Sequence, residues 1–155
     1  MKAEAKPELT LQITRTFAAP RELVFKAWTN ADMIKHWWGC KEFPACHMEM
    51  DARTGGAWRG CLRSEAGGEI WLEGKFIEVT PPERLVFTFI RKSAPEIGIE
   101  PVDTRVTATF TEAGGKTLLQ MRQEIFPSVE LRDDHGSGWN ISFGRLDGIF
   151  AAHTA

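Results

Sequence analysis

Cys40, Cys46, His47 and Cys61 are side chains of the types that hold zinc. Structural zinc sites usually place two such ligands two to four residues apart as a knuckle. Cys40 and Cys46 are too widely spaced for that. Cys46 and His47 are adjacent, so on a strand they point to opposite faces. No metal site is expected. A serine nucleophile fares no better. Ser137 lies in Gly136-Ser137-Gly138, not in G-x-S-x-G, and no strand pattern precedes it. The pairs Gly55-Gly56, Gly67-Gly68 and Gly114-Gly115 lack the strand-loop-helix context of a phosphate loop. Asp51, Glu73 and His135 could exchange protons, but their spacing specifies no reaction. The residues therefore assign no catalytic group, metal or cofactor.

Apolar chemistry is better represented. The chain has six Trp and ten Phe but no Tyr. Such surfaces need either a dense core or a lined cavity. The cavity candidates are Trp58, Trp71, Phe76, Phe87, Phe89, Phe110, Met121, Trp139, Phe143 and Leu146; the bland alternative is that they fill the core. His135 precedes Trp139 by one helical turn, so the two share a face. If that face looks inward, His135 is a polar group at the cavity mouth. Arg59 and Glu73 fall on neighbouring predicted strands. A surface pair there is worth roughly 0–1 kcal/mol; an inward pair would point to polar recognition. Trp37-Trp38 either forms an exposed patch of the kind dimers hide, or at least one of the two plugs the cavity or core.

The elements that must position these residues follow from periodicity. Residues 1–8 are polar and are expected to be a flexible N-terminus; residues 9–155 read as a single domain. Leu9, Leu11, Ile13, Arg15 and Phe17 alternate with polar residues, which predicts a strand whose apolar face Arg15 interrupts. Pro20 suits a first helical turn, and Leu23, Val24, Ala27 and Trp28 continue at helical spacing. Asn30 can cap a second short helix that Gly39 ends. About six further strands follow, divided by the three glycine pairs, by Pro81-Pro82 and by a proline-containing loop over 92–103. Thr117 to Ile125 is the last, with Leu119, Met121 and Ile125 on one side. Pro127 and Ser128 introduce a long final helix carrying Leu131, Trp139, Phe143, Leu146, Ile149 and Phe150. Gly136, Gly138, Gly144 and Gly148 each weaken it by up to about 1 kcal/mol relative to alanine. They also leave room for a strand or a ligand to approach closely. The absence of βαβ alternation makes the class α+β: one curved antiparallel sheet of about six to seven strands across a long C-terminal helix.

Bulk properties exclude several functions. Hydrophobic residues are 43% and charged residues 26% of 155 residues, enough for one real core. A formal net charge of -2 gives no footprint for nucleic acid or anionic membrane. No apolar run approaches the roughly 20 residues of a membrane span. The first ten residues lack the apolar stretch of a secretion signal. A cytoplasmic chain with reduced thiols is expected.

Several segments together resemble one family. They are Arg15-Thr16-Phe17-Ala18-Ala19-Pro20, Val24-Phe25-Lys26-Ala27-Trp28-Thr29 and His36-Trp37-Trp38-Gly39. Asp51-Ala52-Arg53-Thr54-Gly55-Gly56, the run from Gly74 to Val86, and Gly138-Trp139 with Leu146 complete the set. This pattern resembles the Hsp90-ATPase-activator-homologue-like proteins, a branch of the START-like, Bet v 1-like superfamily. The resemblance implies a helix-grip fold with a cavity between sheet and helix. It implies non-catalytic binding of a small hydrophobic molecule, such as a lipid or polyketide; whether the chain is a monomer or homodimer stays open. Two alternatives come with it. One is partnership with an Hsp90-type chaperone, although these residues leave no space for the separate docking domain of the eukaryotic co-chaperones. The other is a polyketide-cyclase-like enzyme.

Overall fold

The computed structural model describes residues 6–154. Strand β1 (Leu11–Phe17) leads into helices α1 (Arg21–Thr29) and α2 (Ala31–Ile34). Strands β2 (Ala45–Met50), β3 (Ala57–Arg63), β4 (Glu69–Thr80), β5 (Arg84–Arg91), β6 (Val102–Ala113) and β7 (Lys116–Glu124) follow, and helix α3 (Val129–Thr154) closes the chain. The seven strands form one antiparallel sheet in the order β1-β7-β6-β5-β4-β3-β2. The sheet is curved and grips α3, the helix-grip arrangement.

The predicted boundaries shift slightly. Pro7–Leu9 is one turn of 3-10 helix, so β1 begins at Leu11 rather than Leu9. Of the expected flexible segment 1–8, residues 1–5 lie outside the described residues. Asn30 does cap α2: its Oδ1 accepts from the Met33 amide at 3.0 Å. Ser128 caps α3 through the Leu131 amide at 3.2 Å. Arg15 on the inner face of β1 is satisfied by an ion pair with Asp147 of α3. Ile125 does not extend β7. It takes φ +76°, a left-handed backbone that a β-branched residue rarely adopts. That turn delivers Phe126, 2% exposed, into the interior.

Period-two alternation sets the core. The inner face of β5 carries Leu85, Phe87, Phe89 and Arg91, all buried. Trp58 and Leu62 of β3, and Ile70, Leu72 and Phe76 of β4, continue that face. One glycine here is forced. A Cβ on Gly74 would lie 1.8 Å from the Thr88 carbonyl oxygen and 2.6 Å from Trp58 Nε1. Trp58 uses that gap to donate its indole N–H to Thr88 O at 3.1 Å.

The glycines of α3 differ among themselves. Gly136 packs on Leu11, whose Cδ1 would be 3.1 Å from an added Cβ. Gly144 and Gly148 are exposed, and a Cβ on either meets nothing within 4 Å. Gly144→Ala and Gly148→Ala are therefore each expected to raise the unfolding free energy by about 0.5–1 kcal/mol. Urea denaturation midpoints check this, and a lowered midpoint would mean that these positions contact something after all.

Candidate functional site

A cavity of about 490 Å³ opens between the first half of α3, the inner face of β3–β5 and the loop that follows α2. The loop is held by α3. Gly39, at φ +115°, gives its N–H to Ser142 Oγ at 3.0 Å. Its carbonyl accepts from Ser142 Oγ and from Arg145 Nη1, each at 2.8 Å. Arg145 Nη2 also donates to Cys40 O at 3.0 Å. Leu62, Ile70, Leu72, Phe89 and Ile99 make an apolar wall, with Trp38 and Trp139 at its inner end.

Behind these two indoles the interior is closed. Trp139 stacks on Trp28 at 5.6 Å and 16° and on Trp38 at 6.0 Å and 25°. A void of about 20 Å³ lies between Trp28, Trp38, Trp58, Phe76, Phe87 and Trp139. Trp139 is oriented by a buried polar chain. Its Nε1 donates to Gln123 Oε1 at 2.8 Å, Gln123 Nε2 donates to Thr104 Oγ1 at 2.8 Å, and Thr104 Oγ1 donates to Phe89 O at 2.9 Å. Each side-chain link is satisfied, as a buried network must be.

The polar part of the wall includes His135, Arg91 and Asp134, with Lys41, Glu42, Ser137 and Ser142. His135 Nδ1 lies 2.9 Å from Leu131 O, so Nδ1 carries the proton and Nε2 is the bare acceptor. The ring sits edge-on to Phe89 and Phe126. Burial first, and the Arg91 charge second, push its pKa down to about 4. Arg91 is buried and donates from Nε and Nη2 to Glu100 O at 3.1 and 2.9 Å. Burial lowers its pKa, partly offset by Asp134. The arrangement is a chamber with an apolar inner wall, one neutral imidazole, one buried cation, and Lys41, Glu42 and Asp134 among its other lining residues.

A family model described as Activator of Hsp90 ATPase homolog 1-like protein matches residues 18–151. The chain belongs to the AHSA1 family. Solved structures of similar shape include a Rhodobacter sphaeroides protein at 23% identity and TM-score 0.79, covering 96% of this chain and 98% of that one. A Chromobacterium violaceum protein is 25% identical at TM-score 0.79, covering 91% and 96%. The AHSA1 protein from Silicibacter pomeroyi is 20% identical at TM-score 0.79, covering 93% and 99%. No curated protein matches the chain.

In this AHSA1 chain, three of the eleven cavity candidates line the 490 Å³ chamber: Phe89, His135 and Trp139. Trp58, Phe76 and Phe87 face the small void behind it. Phe110, Met121, Phe143 and Leu146 are packed core, each 2% exposed or less. Trp71 is a correction. Ile70 and Leu72 point inward, so Trp71 between them points outward, where the Arg59 guanidinium covers its ring at 4.3 Å. Arg59 does not pair with Glu73, although the two are opposite in register. Glu73 binds Lys92 on the outer face instead. Trp37 and Trp38 are both buried, so they form no exposed patch. Cys46 lies beside Cys61, and its thiol donates to Cys61 O at 3.4 Å. His47 contacts Glu49. Among the described residues no group of three His, Cys, Asp or Glu could hold a metal ion, and no helix is long and apolar enough to cross a membrane. Arg91, Leu72 and Ile70 are lining residues that the aromatic reading missed. Arg91 shares the parity of Phe87 and Phe89, and that was the available signal.

Proposed function

We propose that this chain binds a small hydrophobic molecule in the cavity between sheet and α3 without transforming it. The volume of about 490 Å³ falls within the roughly 300–1,000 Å³ of small-molecule sites. Gly138 carries the reading. It lines the cavity, and a Cβ there would meet nothing within 4 Å. A glycine inside a helix costs about 1 kcal/mol relative to alanine, and no packing contact requires this one. What it supplies is open space beside Trp139.

Gly138→Leu should fill that space. The neutral dye Nile red is expected to bind the wild type saturably and Gly138→Leu at least about tenfold more weakly, each 1.4 kcal/mol of lost binding being tenfold. The urea midpoint should stay equal or rise. Lys92→Ala, on the outer face, should leave the dye affinity unchanged. Equal affinity for Gly138→Leu and wild type would place the dye elsewhere and sink the reading. Acid–base catalysis is less well supported. His135, with its pKa near 4, is a weak base at neutral pH, and Arg91 has no proton to give.

The family description supports a second reading, association with an Hsp90-type chaperone. Saturable binding of an Hsp90 middle domain, unaffected by Gly138→Leu, by a protein that takes up no dye would favour it.

A further inference from the structure

Arg91 is the one buried cation among the described residues, and it stands in the cavity wall. It ends β5, on the same face as Phe87 and Phe89 and opposite Leu72. A guanidinium carries five N–H donors. Two hydrogen bonds go to Glu100 O, from Nε and Nη2. Nη1 lies 3.6 Å from Asp134 Oδ2, beyond hydrogen-bond distance. That carboxylate is 69% exposed, so water screens much of its charge. Among the described residues Nη1 is thus held by this long, exposed ion pair, and Nη2 keeps a second N–H beyond its bond to Glu100 O.

Burying a charge is costly unless an opposite charge with hydrogen-bonding capacity meets it. Two oxygens on one planar group match the fork of a guanidinium. The neighbouring groups restrict how much negative charge could enter. His135 beside Arg91 is neutral, and the two cations of the wall, Arg91 and Lys41, are matched by two carboxylates, Asp134 and Glu42. Positive charges so offset favour a monoanion over a phosphate dianion. The inner part of the wall, made by Leu62, Ile70, Leu72, Phe89 and Trp139, is apolar. Resting on the binding reading above, we propose that the cavity selects apolar monocarboxylates, with the carboxylate on Arg91 and the apolar body along Leu72, Phe89 and Trp139.

Decanoate and 1-decanol test this as a matched pair, followed by the fluorescence of the cavity tryptophans and by calorimetry at pH 7.5. Wild type should bind decanoate at least about tenfold more tightly than decanol, the scale of a hydrogen bond to a charged group. Arg91→Met keeps most of the apolar stem. It should lose at least about tenfold for decanoate and change decanol by less than about threefold. Asp134→Asn removes the competing carboxylate and should tighten decanoate alone. If Arg91→Met does not fold, the wild-type pair and Asp134→Asn decide the matter. Equal binding of acid and alcohol by wild type, or an Asp134→Asn effect equal on both, overturns the carboxylate assignment. Failure of both compounds where Nile red still binds overturns it too, and leaves the binding reading standing. Failure of all three overturns both.

Discussion

Replacing Trp139 by alanine is expected to lower the unfolding free energy by about 3–5 kcal/mol, the range for a large buried aromatic. Trp139 is 4% exposed and stacks on Trp28, Trp38 and Phe143. It also divides the 490 Å³ chamber from the void of about 20 Å³ behind it, so its removal joins the two. The packing cost and the polar cost can be separated. Trp139→Phe keeps much of the stacking but leaves Gln123 Oε1 buried without its 2.8 Å donor. An unmet buried group costs about 1–3 kcal/mol. Replacing both residues, with Gln123→Met added to Trp139→Phe, should restore part of that loss, because the stranded acceptor is gone. A urea-denaturation cycle over the two single variants and the double measures the coupling. If Trp139→Ala costs less than about 1 kcal/mol, the indole stack is not a principal part of the core. If the double variant is simply additive, the Gln123 link contributes nothing specific.

That cycle probes the part of the molecule least legible from sequence. The strands and the closing helix could be read because alternation and helical spacing are local properties. Asn30 and Ser128 act as caps within three residues of themselves, and the glycine pairs mark their own turns. The cavity depends on which face each strand turns inward, and on what fills the middle. Trp71 and Phe76 differ by an odd number of residues, so a regular strand cannot put both inside. That parity was available, and the size of the indole outweighed it. Arg91 was hidden for the opposite reason, since a charged residue at a strand end usually faces water. Ile125 could not have been foreseen. Its left-handed backbone contradicts its own preference and accompanies the burial of Phe126. The division between chamber and packed core follows from Trp28 meeting Trp139, residues more than a hundred positions apart. No local pattern reports that contact.

His135 should make this protein lose stability between pH 6.5 and pH 4 in a way that one substitution removes. In the unfolded chain an imidazole titrates near its ordinary 6.5. In the folded chain burial and the nearby Arg91 charge hold the pKa near 4. Between these values the unfolded state binds more protons, so folding stability rises with pH across that window. Above pH 6.5 both states are neutral here and the effect is absent. As the pH falls through 6.5 the penalty begins, and below about 4 it is complete, on the order of 3 kcal/mol. Phenylalanine fits the same edge-on contacts with Phe89 and Phe126 and cannot titrate. On acidification wild type should therefore lose more urea stability than His135→Phe, because wild type alone carries the imidazole penalty while carboxylate effects are common to both. The Hε1 proton resonance of His135 offers a direct check, with little movement expected between pH 7 and pH 5. A midpoint near 6.5, with parallel stability curves for the two proteins, would mean that the imidazole is hydrated and that the cavity wall beside Arg91 is wet. The two measurements thus bear on binding as well. A dry, neutral His135 leaves Arg91 as the buried positive charge that an entering ligand meets.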